Sequence, residues 1–167
     1  LFRSSGRKQT LMFSATFAPN IMALANELTK NAKRIELAHA GEKHANIEQK
    51  LHWADSMSHK HQLLEHILAD ASLDQAVVFA STQVESEKIA DTLRANGYEA
   101  SALHGAMPQA VRMRRLESLR KGHTKILVAT DVAARGIDVP RISHVINFGL
   151  PMKPEDYTHR IGRTGRA

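Results

Sequence analysis

The residues best suited to chemistry lie at the C-terminal end of the chain. In Tyr157 to Ala167, YTHRIGRTGRA, Arg160, Arg163 and Arg166 recur at every third position, so on a helix or tight turn they project toward one side. Three guanidinium groups on one side repel one another unless an anion meets them. Gly162 and Gly165 stand between them. Each costs a helix about 1 kcal/mol relative to alanine, and each permits close approach of a backbone or a phosphate. This composition suits arginine fingers, which reach a γ-phosphate from outside the domain that holds it. The structural alternative is a basic helix end paired with scattered acids.

Upstream, ILVATDVAARGIDV, residues 126–139, reads as a buried strand entering a turn and a short helix. Ligands of parallel α/β sheets collect at the carboxyl ends of strands, and Thr130, Asp131, Gly136 and Asp138 all follow one. Asp131 and Arg135 are four apart and suit a helical ion pair. For Asp138 that explanation is weaker, because Pro140 follows closely and ends the helix. A third cluster, HGAMPQAVR from His104 to Arg112, places Gly105 at a strand end and Gln109 and Arg112 one turn apart on one face, suited to phosphate or sugar contact.

A self-sufficient nucleotide site is missing. None of the nine glycines precedes a lysine, so no G-x-x-x-x-G-K-[ST] loop exists, and no G-x-G-x-x-G either. The ten histidines include no H-E-x-x-H, and no metal site is indicated.

These clusters need a frame. Apolar β-branched runs alternate with helix-period stretches, the pattern of an α/β fold with a mostly parallel sheet. Strands are expected over 9–13, 34–37, 49–53, 76–80, 98–102, 125–129 and 144–148, and helices over 18–29, 58–70, 83–96 and 108–121. AVVFA and KILVA are apolar throughout and belong at the centre of the sheet. Gly97 and Gly122 are placed as helix stops, with Pro108 in a first turn. AHAGEKHA reads as a linker between a short piece and a unit of about 120 residues. The abrupt ends suggest a chain cut from a longer one.

The 167 residues, 43% hydrophobic and 24% charged, are enough for one domain with a real core. Without cysteine there is no disulfide framework, and without a long apolar run or a signal-peptide h-region the reading is cytoplasmic. The net charge of +6 is uneven: residues 1–101 hold 11 Lys+Arg against 12 Asp+Glu, and residues 102–167 hold 12 against 5. A basic C-terminal part attracts polyanions, nucleic acid and nucleotide phosphates first among them.

The segments LMFSAT, VVFAST, ALHGAMPQAVR, ILVATDVAARGIDV and HRIGRTGRA resemble, in order and spacing, motifs III, IV, IVa, V and VI of the DEAD-box ATP-dependent RNA helicases. The resemblance covers essentially the whole chain. Its wording is nearest a bacterial, RhlE-like branch, and His159 stands where DNA-directed relatives usually carry Gln.

That resemblance implies a RecA-like parallel sheet flanked by helices: the end of RecA-like domain 1 over 1–38, a linker over 39–46, and domain 2 over 47–167, truncated at its C-terminus. It implies that Ser14, Ala15 and Thr16 couple hydrolysis to strand separation, and that His159 links motif VI to domain 1. Ser81, Thr82, Gly105, Gln109, Arg112, Thr130 and Asp131 would line the RNA path. Asp138, beside Gly136, would hold the ATP ribose, and Arg163 and Arg166 would reach the γ-phosphate. The implied cofactor is ATP with Mg2+, bound mainly by domain 1, whose Q-motif, P-loop and DEAD sequence are absent here. RNA, ATP and domain 1 are the implied partners, and the chain by itself is expected to be inactive. The rival readings are a non-catalytic RNA-binding module, for which Asp138 and the arginine pair would have no use, and a DNA helicase, against which His159 argues.

Overall fold

The computed structural model describes residues 9–14, 19–35, 47–135 and 137–165. The chain divides into two units, Leu1–Glu42 and Lys43–Ala167. In the first, helix α1 (Pro19–Leu28) forms where a helix is expected, and none of its residues is buried. Residues 9–13 form no strand, nor do Arg34 and Ile35, while 36–37 and the linker residues 39–46 lie outside the described residues. An apolar run becomes a strand only against a neighbour that completes its hydrogen-bond ladder, and a short piece offers none. With no buried side chain, α1 should open easily: in the 167-residue chain its amides should exchange at least about 100-fold faster than those of Ala76 to Phe79, as hydrogen exchange can measure.

The second unit is built on four parallel strands, β1 (Gln75–Phe79), β2 (Ala100–Leu103), β3 (Ile126–Ala129) and β4 (Ile142–Asn147), in the order β2-β3-β1-β4. AVVFA and KILVA supply the two central strands, and β1 and β3 are buried at every position. Successive residues face opposite sides. Ala76, Val78, Ile126 and Val128 therefore meet Leu64 and Leu68 of α2 (Met57–Leu68) and Ile89, Ala90 and Leu93 of α3 (Gln83–Ala95). Val77, Phe79, Leu127 and Ala129 meet Leu119 of α4 (Gln109–Arg120), Ala133 and Ala134 of α5 (Asp131–Ala134), and Ile137 and Val139.

Local signals set the helix bounds. Ser56 and Thr82 cap α2 and α3, each accepting the N–H three residues on. After α3 and α4 the chain turns left-handed at Gly97 (φ 88°) and Gly122 (φ 76°), where glycine alone escapes a Cβ penalty. Pro108 stands just before the first turn of α4 rather than within it. Outside the sheet ends, Arg141 forks onto Asp74 with two bonds of 2.9 Å, tying the approach to β4 to the approach to β1 and holding the Asp74 carboxyl below its usual range.

The expected strand over 49–53 is not formed. Leu51 and Trp53 are 83% and 86% exposed in an extended stretch that pairs with no strand. Among the described residues no helix is long and apolar enough to cross a membrane.

Candidate functional site

Every candidate residue that the structure describes in the second unit lies beyond the carboxyl end of a strand. The four ends differ in how their backbone donors are used. After β1, Thr82 Oγ1 accepts the Glu85 N–H at 3.0 Å and the Ser81 N–H donates to Glu85 Oε2 at 2.6 Å, so the start of α3 is closed by its own side chains. After β2, Gly105 is exposed and α4 begins behind Pro108 with no side-chain cap. After β3, Thr130 precedes α5 and likewise makes no side-chain cap. The helix that follows β4 also starts without a side-chain cap, behind Lys153; of these three starts, those after β2 and β3 are neighbours, because β2 and β3 are paired. The start of α4, twelve residues long, carries the positive end of a helix dipole and N–H groups that suit an anion, whereas α5 has only four residues and its Ala133 and Ala134 N–H groups already donate to the Thr130 carbonyl.

Gln109 and Arg112 do face each other, with Arg112 Nη1 donating to Gln109 Oε1 at 3.3 Å, and the buried Arg112 Nε has no acceptor. The Arg112 guanidinium, one turn into α4, places positive charge on the face it shares with Gln109, which suits a phosphate oxygen. The turn beneath is held by residues that were not singled out in the sequence. His104, buried at the end of β2, meets Glu87 Oε1 of α3 at 3.0 Å, and Arg115 of α4 donates to the Ala102 carbonyl at 2.6 Å.

Arg160 and Arg163 do not stand on one continuous helix. Helix α6 (Pro154–Ile161) ends before the second arginine. Arg160 turns inward and is 1% exposed. Its Nε and Nη2 grip the two Asp131 oxygens at 2.7 Å each, and Nη1 donates to Asn147 Oδ1 at 3.0 Å and to the Gly149 carbonyl. The guanidinium carbon lies 4.8 Å from the Phe79 ring centre. Here the structural alternative holds: an acid paired with Arg160 removes the repulsion that three parallel arginines would suffer. Asp131 is thus joined to Arg160 and not to Arg135.

Arg163 lies past the helix end, with Nε on the His159 carbonyl at 3.1 Å and Nη1 on the Ile137 carbonyl at 2.9 Å. The structure therefore brings Arg163 to the chain neighbour of Asp138, itself exposed. His159 is half-buried in the last turn of α6, lining with Asp131, Arg135 and Arg163 a narrow crevice at this edge. Gly136, Thr16, Ala15 and Arg166 lie outside the described residues, and Ser14 is exposed in the first unit.

Residues 59–167 match the helicase conserved C-terminal domain. The Escherichia coli DEAD-box protein SrmB, solved bound to regulator of ribonuclease activity A, is 41% identical over 71% of this chain and 72% of that one, with a TM-score of 0.65. The chain belongs to the DEAD-box helicase family. Other DEAD-box relatives extend the likeness into the first unit. The ATP-dependent RNA helicase RhlB of Pseudomonas syringae pv. tomato is 43% identical over 97% of this chain and 41% of its own length. Saccharomyces cerevisiae Dbp5, solved bound to RNA and ADP BeF3, is 32% identical over 92% of this chain and 41% of that one, with a TM-score of 0.82. The chain thus spans about two fifths of the length of the curated relatives it matches. Those relatives carry the name RhlB, where the sequence wording suggested an RhlE-like branch.

Proposed function

We propose that this DEAD-box chain is the second RecA-like domain, with the end of the first and a linker before it, of a cytoplasmic ATP-dependent RNA helicase. The observation that carries the reading is the gathering of Gly105, Gln109, Arg112 and Thr130 after the paired strands β2 and β3, with the uncapped start of α4 among them, at the same end of the sheet as Asp138 and Arg163. One part of that end suits a polyphosphate backbone, the other a nucleotide. RNA would pass over Gly105, Gln109, Arg112 and Thr130, with Ser81 and Thr82 at the margin. Phosphate and 2′-hydroxyl contacts make such binding indifferent to sequence.

ATP with Mg2+ would be held mainly by the P-loop domain, with Asp138 and Gly136 at the ribose and Arg163 and Arg166 at the γ-phosphate. These side chains fit that role: a carboxylate accepts from ribose hydroxyls, and a guanidinium fork matches phosphate oxygens. The nucleotide supplies the energy-yielding phosphoanhydride. The residues of this chain orient it and stabilise charge that develops on its terminal phosphate. Ser14, Thr16 and His159 would link the two domains.

Two results follow. The 167-residue chain, lacking the P-loop, should show no RNA-stimulated ATP turnover above a mock preparation. It should bind single-stranded RNA weakly, with affinity falling steeply as salt rises. Arg112→Ala should weaken binding severalfold, about equally for unrelated sequences, and make the log–log salt slope shallower by about one in a fluorescence-anisotropy titration. A loss confined to one RNA sequence would mean base readout and overturn this assignment.

A further inference from the structure

The Arg160–Asp131 pair lies between the two halves of the site. Asp131 directly follows Thr130, the residue at the start of α5, whose N–H is tied to the Leu103 carbonyl of β2 at 3.2 Å. Arg160 lies three residues before Arg163, whose own side chain reaches the Ile137 carbonyl. The segment from Asp131 to Ile137 is therefore gripped at both ends by α6 and the turn that follows it: at its start through Arg160, at its end through Arg163.

The chemistry of the first grip is unusual for a core position. A guanidinium 1% exposed has lost its hydration, and replacing a buried ion pair as a whole by apolar side chains of similar size is often neutral in stability. What an apolar residue cannot do is fix an angle. The planar fork of Arg160 sets both Asp131 oxygens at 2.7 Å, and the Asn147 and Gly149 oxygens hold the far side of the same plane. The orientation of the last turn of α6 is thereby set by four acceptors on the ends of β3 and β4, and Arg163 takes its place from that turn.

Resting on the function proposed above, we infer that Arg160 and Asp131 are positioning residues: their pair places the Arg163 guanidinium and joins it to the Thr130 turn on the RNA side. Neither residue touches the reacting phosphate in this account. A shift of the Thr130–Asp131 turn moves the carboxylate, and the carboxylate carries Arg160 and α6 with it.

The test reads Arg163 directly. In the 167-residue chain, the Nε–H of Arg163, bonded to the His159 carbonyl, gives its own nitrogen–proton resonance. Asp131→Asn, which keeps the shape and removes the charge, should speed its exchange with water at least tenfold. Asn147→Ala, which removes one Arg160 acceptor and leaves the ion pair, should speed it about threefold. The second variant decides the matter if the first does not fold. An Arg163 signal within twofold of wild type in the folded variants would overturn the inference, since a pair that only sustains the fold has no reason to move that proton.

In the full-length protein, Asp131→Asn should lower RNA-saturated kcat at least tenfold with the KM for ATP within twofold. An equal rise in KM with kcat unchanged would also overturn it. Wild-type protein with no RNA-stimulated turnover would sink the helicase reading instead, and the exchange measurement on Arg163 would still judge the pair.

Discussion

Arg163→Lys should cut ATP turnover at saturating RNA by about 10³-fold or more in the full-length protein, while the KM for ATP moves by less than about threefold. The effect belongs to kcat because charge on the γ-phosphate grows in the transition state, so a donor aimed at it contributes little to ground-state binding. Lysine keeps the charge and loses the fork. Arginine fingers are worth about 10³ to 10⁵ in rate, roughly 4–7 kcal/mol. Arg163 also donates to the His159 and Ile137 carbonyls, so its replacement carries a folding cost of about 1–3 kcal/mol. The two ranges are separate, and a melting curve measured beside the steady-state rates divides them. Turnover reduced less than about fivefold, in a protein of normal stability, would make Arg163 a structural cap on α6 and end the finger mechanism.

The second large effect is on stability. Arg160→Leu leaves Asp131 without its bidentate partner and the Asn147 and Gly149 oxygens without a donor. Breaking a buried pair from one side costs about 3–5 kcal/mol. Asp131 keeps some contact with water, its side chain being 29% exposed, which favours the lower end. A loss of about 3 kcal/mol corresponds to a melting temperature lower by roughly 6–12 °C in a domain of this size. Adding Asp131→Leu removes the stranded charge, and the double variant should recover part of the loss, about 1–3 kcal/mol remaining because the Asn147 and Gly149 oxygens still lack their donor. Urea titrations of the four proteins close the cycle. A single-variant loss below 1 kcal/mol would show that the pair does not sustain the fold.

How far the sequence could be read depended on whether a residue's role was local. The two central strands were legible because a strand covered on both faces must be apolar at each position, and AVVFA and KILVA are. The stops at Gly97 and Gly122 were legible because only glycine takes their left-handed turn cheaply. The stretch 49–53 forms no strand because local composition states only a propensity, and a strand also needs a partner that no local pattern names. Arg160 was misread for a related reason. Its three-residue spacing from Arg163 puts both on one side only if the helix continues, and α6 stops at Ile161. The clue was distributed: an aspartate just after ILVAT and an asparagine ending HVIN are polar groups at the ends of buried strands, and together they call for a donor. Neither points to position 160 until the strands are side by side.

The strand order also bears on how the protein is made. β1 is paired with β3 and β4 and never with β2, the strand that follows it in the chain. The first partner that β1 can acquire is Ile126, opposite Ala76, about 50 residues further on. At about 5–20 residues per second of synthesis, AVVFA leaves the ribosome several seconds before anything exists to pair with it. A segment buried at every position in the finished molecule thus waits without a strand partner during its birth, and a slow stretch of translation between β1 and β3 would lengthen the interval in which a chaperone must shield it.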